Sequence, residues 1–266
     1  MHSVLERLYR DPPGDDAMPR PGDLERWKQG AAELLNRECE ERGTAADAIG
    51  RVGRRRMRLL IERFLEREAQ SDIALRPAPA LIEASFGRGG DDAKDPLELN
   101  GLRLHGKIDR VDVAPGGAMG LVRDYKSGKP TAAAKLAEEG KLQPQLYMLA
   151  LRDLWGIEPI GGVYVPLSPK DSEEARARGI LDKRERELLE GERFVRTDFL
   201  DEDELTETLD SAHARASQIA ADMRAGRIAR NPIDNTCPRY CRFQPICRRE
   251  RAVVVDDPDE EPEEEP

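Results

Sequence analysis

Residues 97–128 most strongly constrain the fold, because they alternate apolar and polar side chains between strong turn signals. The dipeptide Asn100-Gly101 separates two short apolar runs and predicts a two-residue β-hairpin. A second turn, rich in proline and glycine, separates a segment containing Asp109 from a segment containing Asp124. We therefore expect an antiparallel meander at the centre of the protein, with these two aspartates on neighbouring strands.

Three polar side chains on these strands could meet at one place. Successive strand side chains point to opposite faces, so Asp124 and Lys126 share a face while Tyr125 points away. An aspartate and a lysine at this spacing often form only a surface ion pair. If Asp109 comes alongside, however, two carboxylates and one ammonium group converge. Carboxylates of this kind suit Mg2+, and a nearby lysine could orient or deprotonate an attacking water, which predicts a phosphodiester hydrolase.

Helices are expected before and after these strands. Helical periodicity predicts segments at 2–10, 24–43, about 46–69, about 132–154, interrupted near its start by Pro144, and 201–226. Further strands are expected over ALIEASF and GGVYVPL. Helices flanking a central mixed, largely antiparallel sheet make the expected class α/β (α+β).

The helix at about 46–69 has two contrasting faces. The side chains expected to point inward are Ile49, Val52, Met57, Leu60, Ile61, Phe64 and Leu65. The outer face carries Arg51, Arg54, Arg55, Arg58 and Arg67. These arginines indicate either a solvated helix face or contact with a nucleic-acid backbone.

The net charge of −10 is concentrated at one end of the chain. The last eleven residues contain three Asp and five Glu, which leaves a net charge of −2 for the other 255 residues. A basic groove elsewhere thus remains possible, and the tail itself is expected to be disordered. We find neither a secretory signal nor an apolar run of membrane-spanning length, so we expect a cytoplasmic protein without a membrane partner.

Three segments resemble, in order and spacing, the nuclease motifs of the RecB-like and AddB-like branch of the PD-(D/E)xK superfamily. They are GKIDRVD, VRDYKSG and LQPQLYMLAL. The resemblance covers roughly residues 1–250 and implies a restriction-endonuclease-like core with a helical N-terminal region. It implies that Asp109 and Asp124 bind Mg2+ or Mn2+, with the Tyr125 carbonyl as a further ligand, that Lys126 is the catalytic lysine, and that Gln143 and Tyr147 contact DNA or support the site.

Two further metal-site residues are implied by the same resemblance. His2 looks like the histidine that opens this nuclease domain and contributes to its metal site. Glu83 falls where the family often carries an acidic residue, although a solvated strand glutamate is the alternative. The family normally has chain before this histidine, whereas only Met1 precedes His2 here. We therefore expect a nuclease domain cut from a longer protein, or an open reading frame begun too late.

Three cysteines near the end of the chain resemble the triplet that holds an iron–sulfur cluster in AddB-like and CRISPR-adaptation nucleases. They are Cys237, Cys241 and Cys247. Four thiolates are the usual complement of a 4Fe-4S cluster, and zinc is the rival metal. The first gap is one residue longer than usual, and the fourth cysteine expected upstream of His2 is missing. Cys39 could substitute for it, or could be an incidental thiol on an amphipathic helix.

The resemblance also implies a domain plan and a biological setting. The expected parts are 1–79, the helical N-terminal part; 80–230, the nuclease core; 231–252, the cluster-binding segment; and 253–266, the disordered tail. A basic patch that could lie along DNA consists of Arg230, Arg239, Arg242, Arg248, Arg249 and Arg251.

The function implied is a Mg2+-dependent DNA exonuclease in double-strand-break repair and recombination, joined to a helicase domain or partnered by a helicase subunit. One alternative is a DNA-binding or assembly module of a helicase–nuclease complex that does not cleave. Another is a protein that is stabilised by a structural zinc ion and has no connection with nucleic acid.

Overall fold

The computed structural model of the chain describes residues 1–14, 16–43, 48–88, 90, 93–171 and 174–227. The chain divides into two units, Met1–Ser217 and Gln218–Pro266, and only residues 218–227 of the second unit are described. The cysteine triplet, the basic patch around it and the acidic tail therefore lie outside the described residues. Among the described helices, none combines the length and the apolar character needed to span a membrane.

The described elements are five α-helices, two β-sheets and short 3-10 turns. The helices are α1 (His2–Arg10), α2 (Leu24–Glu41), α3 (Ala48–Glu68), α4 (Gln143–Trp155) and α5 (Glu202–Arg224). The strands are β1 (Arg76–Phe86), β2 (Leu97–Leu99), β3 (Leu102–Leu104), β4 (Gly106–Val113), β5 (Met119–Lys126), β6 (Glu158–Pro166), β7 (Arg178–Asp182) and β8 (Phe199–Leu200).

The main sheet has six strands in the order β1-β4-β5-β6-β7-β8. Neighbouring strands are antiparallel except for the parallel pairs β5–β6 and β7–β8. Helix α4 makes the crossover between β5 and β6, as a parallel pair requires. The predicted α/β class, with a mixed and mostly antiparallel sheet flanked by helices, is confirmed, and the arrangement is consistent with a restriction-endonuclease-like fold.

Helices cover both faces of the main sheet. One apolar cluster joins α1, α2 and α3 to one face through residues such as Leu5, Trp27 and Leu65. A second cluster joins α4 to the other face, with Met148 and Leu151 fully buried. The apolar side chains Val4, Leu5, Leu8 and Tyr9, which helical periodicity predicts on one face of α1, are all buried.

The hairpin at Asn100-Gly101 is confirmed, but it forms a separate two-stranded sheet of β2 and β3. Asn100 (φ 48°) and Gly101 (φ 77°) both adopt left-handed backbone, which a two-residue hairpin turn of this type needs. The alternating pattern also predicts that the second strand of this hairpin continues into the strand of Asp109. This prediction is wrong, because β3 ends at Leu104 in the small sheet and β4 begins at Gly106 in the main sheet.

Two details of the predicted helices are wrong for physical reasons. Ile49 and Val52 are exposed, 82% and 69% respectively, because the buried residues of α3 all lie in its last two turns. Pro144 does not interrupt a helix that begins at about 132. It lies in the first turn of α4, where its missing N–H group has no intrahelical partner to lose.

Candidate functional site

The site lies where β4 and β5 stop pairing through their backbones. The last backbone-paired residues are Arg110 and Arg123. Immediately beyond them, the amide of Tyr125 donates a hydrogen bond of 2.7 Å to Oδ2 of Asp109. The carboxylate of Asp109 thus replaces a backbone carbonyl as the acceptor of this hydrogen bond. Beyond this point the backbones of β4 and β5 are no longer paired, and polar side chains occupy the space between them.

Three acidic residues follow one another across the adjacent strands β1, β4 and β5. The β1–β4 register places Glu83 across from Asp109. The β4–β5 register, continued by one residue, places Asp109 across from Asp124. The sheet therefore brings together the two aspartates that the sequence pattern predicts on neighbouring strands, with the glutamate one strand further out.

Asp124 is buried, and its Oδ2 forms an ion pair with Lys126. Its side chain is 4% exposed, and Nζ of Lys126 lies 2.5 Å from Oδ2. Oδ2 accepts no other hydrogen bond within the described part of the chain. Burial raises the pKa of Asp124, and the negative charge of Asp109 raises it further, against the opposing effect of Lys126.

Lys126 is held by α4 and by the neighbouring strand. Its ammonium group donates a hydrogen bond of 2.9 Å to Oε1 of Gln143 and lies 5.0 Å from the ring centre of Tyr164. The amide nitrogen of Gln143 in turn donates to the hydroxyl of Tyr147 at 3.0 Å. Gln143 and Tyr147 are four residues apart and share a helix face, as the sequence predicts. Their two hydrogen bonds hold the ammonium group of Lys126 in position.

His2 reaches the site from the first residue of α1. Its Nε2 lies 3.3 Å from the carbonyl oxygen of Tyr125 and 3.4 Å from Oδ2 of Asp109. The contact with Asp109 raises the pKa of His2, although burial acts in the opposite direction. The structure therefore places the histidine beside two of the oxygens that the resemblance assigns to the metal.

Glu83 has an unusual backbone in the middle of β1. Its φ of 53° lies in the left-handed region, which non-glycine residues rarely adopt and which costs on the order of 1 kcal/mol or more. Its buried carboxylate forms a close ion pair with Lys107 of β4. Glu83 thus lies next to the two aspartates but is engaged with a lysine.

The oxygen atoms at the site fit Mg2+ or Mn2+. The described ranges contain no group of three or more His, Cys, Asp or Glu side chains that could hold a metal ion. Mg2+ does not need such a group, because it usually binds one or two carboxylates and completes its shell with water and substrate phosphates. Oδ2 of Asp124, which has no partner but Lys126 among the described residues, the carboxylate of Asp109 and the carbonyl of Tyr125 are hard oxygen donors of this kind.

A buried charge network behind the site was missed in the sequence. Its members are Tyr9, Glu68, Arg110, Asp112, Arg123, Tyr125 and Glu192. Arg110 and Asp112 are fully buried, and Arg123 is 1% exposed. A sequence signal was present, because Arg110 and Asp112 occupy alternate positions of a strand that is otherwise apolar on that face.

Arg110 and Arg123 in this network are direct chain neighbours of Asp109 and Asp124. Arg110 donates to Asp112, to Glu68 and to the hydroxyl of Tyr125. Arg123 donates to Asp112 and, through two nitrogens, to Glu192. The two aspartates are thus attached to strand positions that buried ion pairs hold in place.

The cysteine predictions are not tested by the described residues. Cys237, Cys241 and Cys247 lie outside them. Cys39 is a free thiol on α2, partly buried against the apolar cluster of α1–α3. Its role as a fourth cluster ligand stays a prediction.

Comparisons with known proteins identify a family. A model of the PD-(D/E)XK nuclease superfamily matches residues 1–248. A comparison with curated proteins gives no match. Members of this superfamily are typically metal-dependent nucleases. Because the match covers most of the chain and includes every candidate site residue described above, the chain belongs to the PD-(D/E)XK nuclease superfamily.

Proposed function

We propose that the protein is a Mg2+-dependent nuclease that hydrolyses phosphodiester bonds of DNA. The observation that carries this proposal is the open end of β4 and β5, where Asp109 faces Asp124 and the ammonium group of Lys126 lies 2.5 Å from the buried Asp124 carboxylate. Family membership supports the same reaction class.

Asp109 and Asp124 would hold the ion, with the carbonyl of Tyr125 as a third oxygen. When bound, Mg2+, or Mn2+ in its place, supplies positive charge that polarises the scissile phosphate. His2 and Glu83 would support this arrangement from α1 and β1, since His2 already contacts Asp109 and Glu83 lies across from it.

Lys126 would act on the attacking water and on the charge that develops at phosphorus. Its ammonium group is compact and can rotate among several acceptors. The hydrogen bond to Gln143, supported by Tyr147, keeps it beside Asp124 rather than in solvent. A positive charge fixed in this way stabilises a transition state that gains negative charge.

The experiment is degradation of linear double-stranded DNA in Mg2+ by the parent, Lys126→Ala and Asp124→Ala. Removal of a central electrostatic group typically lowers the rate on the order of 100-fold or more. Lys129→Ala and Asp153→Ala are the matched controls, since both side chains are exposed and neither is among the described contacts of Lys126. Circular dichroism checks the fold, and parent-like degradation by both site variants would disprove the assignment.

A second candidate is a module that binds DNA without cleaving it. It is favoured by the exposed arginines of α3, which are Arg51, Arg55, Arg56, Arg58 and Arg63. Salt-dependent binding of DNA, with no cleavage of the DNA either with or without Mg2+, would favour this candidate.

The motif resemblance supports a finer proposal about setting and cofactor. We place the nuclease, as an exonuclease, in double-strand-break repair beside a helicase subunit or domain. Cys237, Cys241 and Cys247 would hold a 4Fe-4S cluster that ties down the C-terminal segment, with zinc as the rival. An absorption spectrum and metal analysis of anaerobically purified protein distinguish iron–sulfur from zinc.

A further inference from the structure

A cavity of about 320 Å³ lies on the α1–α3 side of the main sheet, away from the residues assigned to cleavage. The end of α3, the end of β6 and two connecting segments at 175–177 and 191–193 form its walls. Its volume is at the lower end of small-molecule sites, which is about the size of a nucleotide.

The charge of the cavity is positive once its internal ion pairs are considered. Its two carboxylates, Glu68 and Glu192, are already bonded to the buried guanidinium groups of Arg110 and Arg123. Arg67, Arg176 and Arg193 also line it, and neither Arg67 nor Arg193 forms an ion pair with another described residue. The lining therefore offers, in Arg67 and Arg193, two guanidinium groups without an ion-pair partner among the described residues.

Arg67 is placed to receive an anion. It donates a hydrogen bond of 2.9 Å to the carbonyl of Pro166 and lies over the ring of Phe64. Burial lowers the pKa of Arg67, and the negative charge of nearby Glu68 acts in the opposite direction. A partly buried guanidinium group can donate two parallel hydrogen bonds to two oxygens of a phosphate group.

The cavity is connected to the strand of Lys126 through the sheet. Pro166, which accepts from Arg67, is the residue paired with Lys126 in the parallel β5–β6 ladder. Phe64 and Val165 add an apolar wall, which suits an organic phosphate ester better than a bare phosphate.

We propose that this cavity binds the phosphate group of a nucleotide through Arg67 and Arg193. The nucleotide is either a unit of a DNA strand or a free mononucleotide, and the recognised chemistry is the same. The proposal does not depend on cleavage, because binding can be measured with no divalent ion present.

The test is isothermal titration calorimetry in EDTA with deoxyadenosine 5′-monophosphate, inorganic phosphate and an eight-nucleotide thymidine strand. Arg193→Ala is the main variant, because this side chain is exposed and forms no ion pair with another described residue. Arg67→Lys keeps the positive charge but loses the planar guanidinium group, which can donate two parallel hydrogen bonds. Arg196→Ala is the matched control, since Arg196 is exposed and close in the chain but does not line the cavity.

We expect Arg193→Ala to weaken binding of the mononucleotide on the order of tenfold, the loss of one charged hydrogen bond, and Arg196→Ala to leave it unchanged. Arg67→Lys should weaken it as well. An equal loss for the thymidine strand identifies DNA as the source of the phosphate, and a loss confined to the mononucleotide identifies a free nucleotide. Parent protein that binds none of the three probes, or equal losses in Arg193→Ala and Arg196→Ala, would overturn the proposal.

Discussion

The amide of Tyr125 donates a hydrogen bond of 2.7 Å to the carboxylate of Asp109, just beyond Arg110 and Arg123, the last backbone pair of β4 and β5. A side chain therefore completes the strand pairing where the backbones separate. This gives Asp109 a structural task, holding the end of β5, in addition to the metal-binding task that we propose. The two tasks need different properties of the side chain, namely an acceptor oxygen and a negative charge.

Substitutions at Asp109 should separate these two tasks. Asp109→Asn keeps an acceptor for the Tyr125 amide but removes the charge, so we expect near-parental stability and a loss of nuclease rate on the order of 100-fold or more. Asp109→Ala removes both, so it should lose activity and also about 1–2 kcal/mol of stability. Urea unfolding and DNA degradation in Mg2+ measure the two quantities. Equal stabilities of the two variants would show that the hydrogen bond to Tyr125 contributes nothing.

The support of Lys126 by α4 leads to a second prediction. Gln143→Ala removes the acceptor of the ammonium group and leaves Asp124 as its neighbour, so the ammonium group becomes less well positioned. A hydrogen bond to a charged group is worth about 1.5–3 kcal/mol, so we expect a rate loss of roughly tenfold or more with the fold retained. Gln29→Ala, an exposed glutamine of α2, is the control. A parental rate for Gln143→Ala would remove α4 from the mechanism.

Much of the candidate site could be predicted from the sequence because its signals are local. Alternation along a strand places Asp124 and Lys126 on one face, and helical spacing pairs Gln143 with Tyr147. The structure brings Lys126 to this pair through the hydrogen bond to Gln143. The approach of His2 from α1 is not a local signal, and only the motif resemblance indicated it.

The features that were missed depend on packing between distant segments. The partners of Arg110 come from α3, from β5 and from β4 itself, and periodicity does not report which helix covers a strand. Ile49 and Val52 follow a helical apolar pattern, yet the part of α3 that carries them buries nothing. Pattern predicts which face of an element is apolar, whereas tertiary contacts decide how much of that face is covered.

The close approach of β6 and β7 gives a prediction about stability. A Cβ atom at Gly179 would lie 2.3 Å from the carbonyl oxygen of Gly162, and backbone atoms cannot yield as a flexible side chain can. We expect Gly179→Ala to cost at least about 1–3 kcal/mol of unfolding free energy, as for other overpacked sites. Gly22→Ala is the control, because no atom lies within 4 Å of a Cβ at that exposed position. Equal unfolding curves for the two variants would contradict the packing argument.

The buried carboxylate of Asp112 makes stability depend on acid pH. Burial alone would raise the pKa of Asp112, but the guanidinium groups of Arg110 and Arg123 outweigh it and lower the pKa below its usual value. As the pH falls through about 4, the unfolded chain takes up the proton before the folded chain does. Folding stability contributed by Asp112 is thus present above that pH and is lost below it.

Asp112→Asn should remove this dependence and also reduce stability at neutral pH. Breaking a buried ion pair by removing one partner typically costs about 3–5 kcal/mol, because the remaining charges stay buried. Urea unfolding of the parent and the variant at pH values from about 7 down to about 3 measures both effects. The parental free energy of unfolding should fall towards acid more steeply than that of Asp112→Asn, whereas Asp153→Asn, at a half-exposed surface pair with Arg152, should follow the parent. Parallel pH profiles for the parent and Asp112→Asn would show that Asp112 has the same pKa in the folded and unfolded chains.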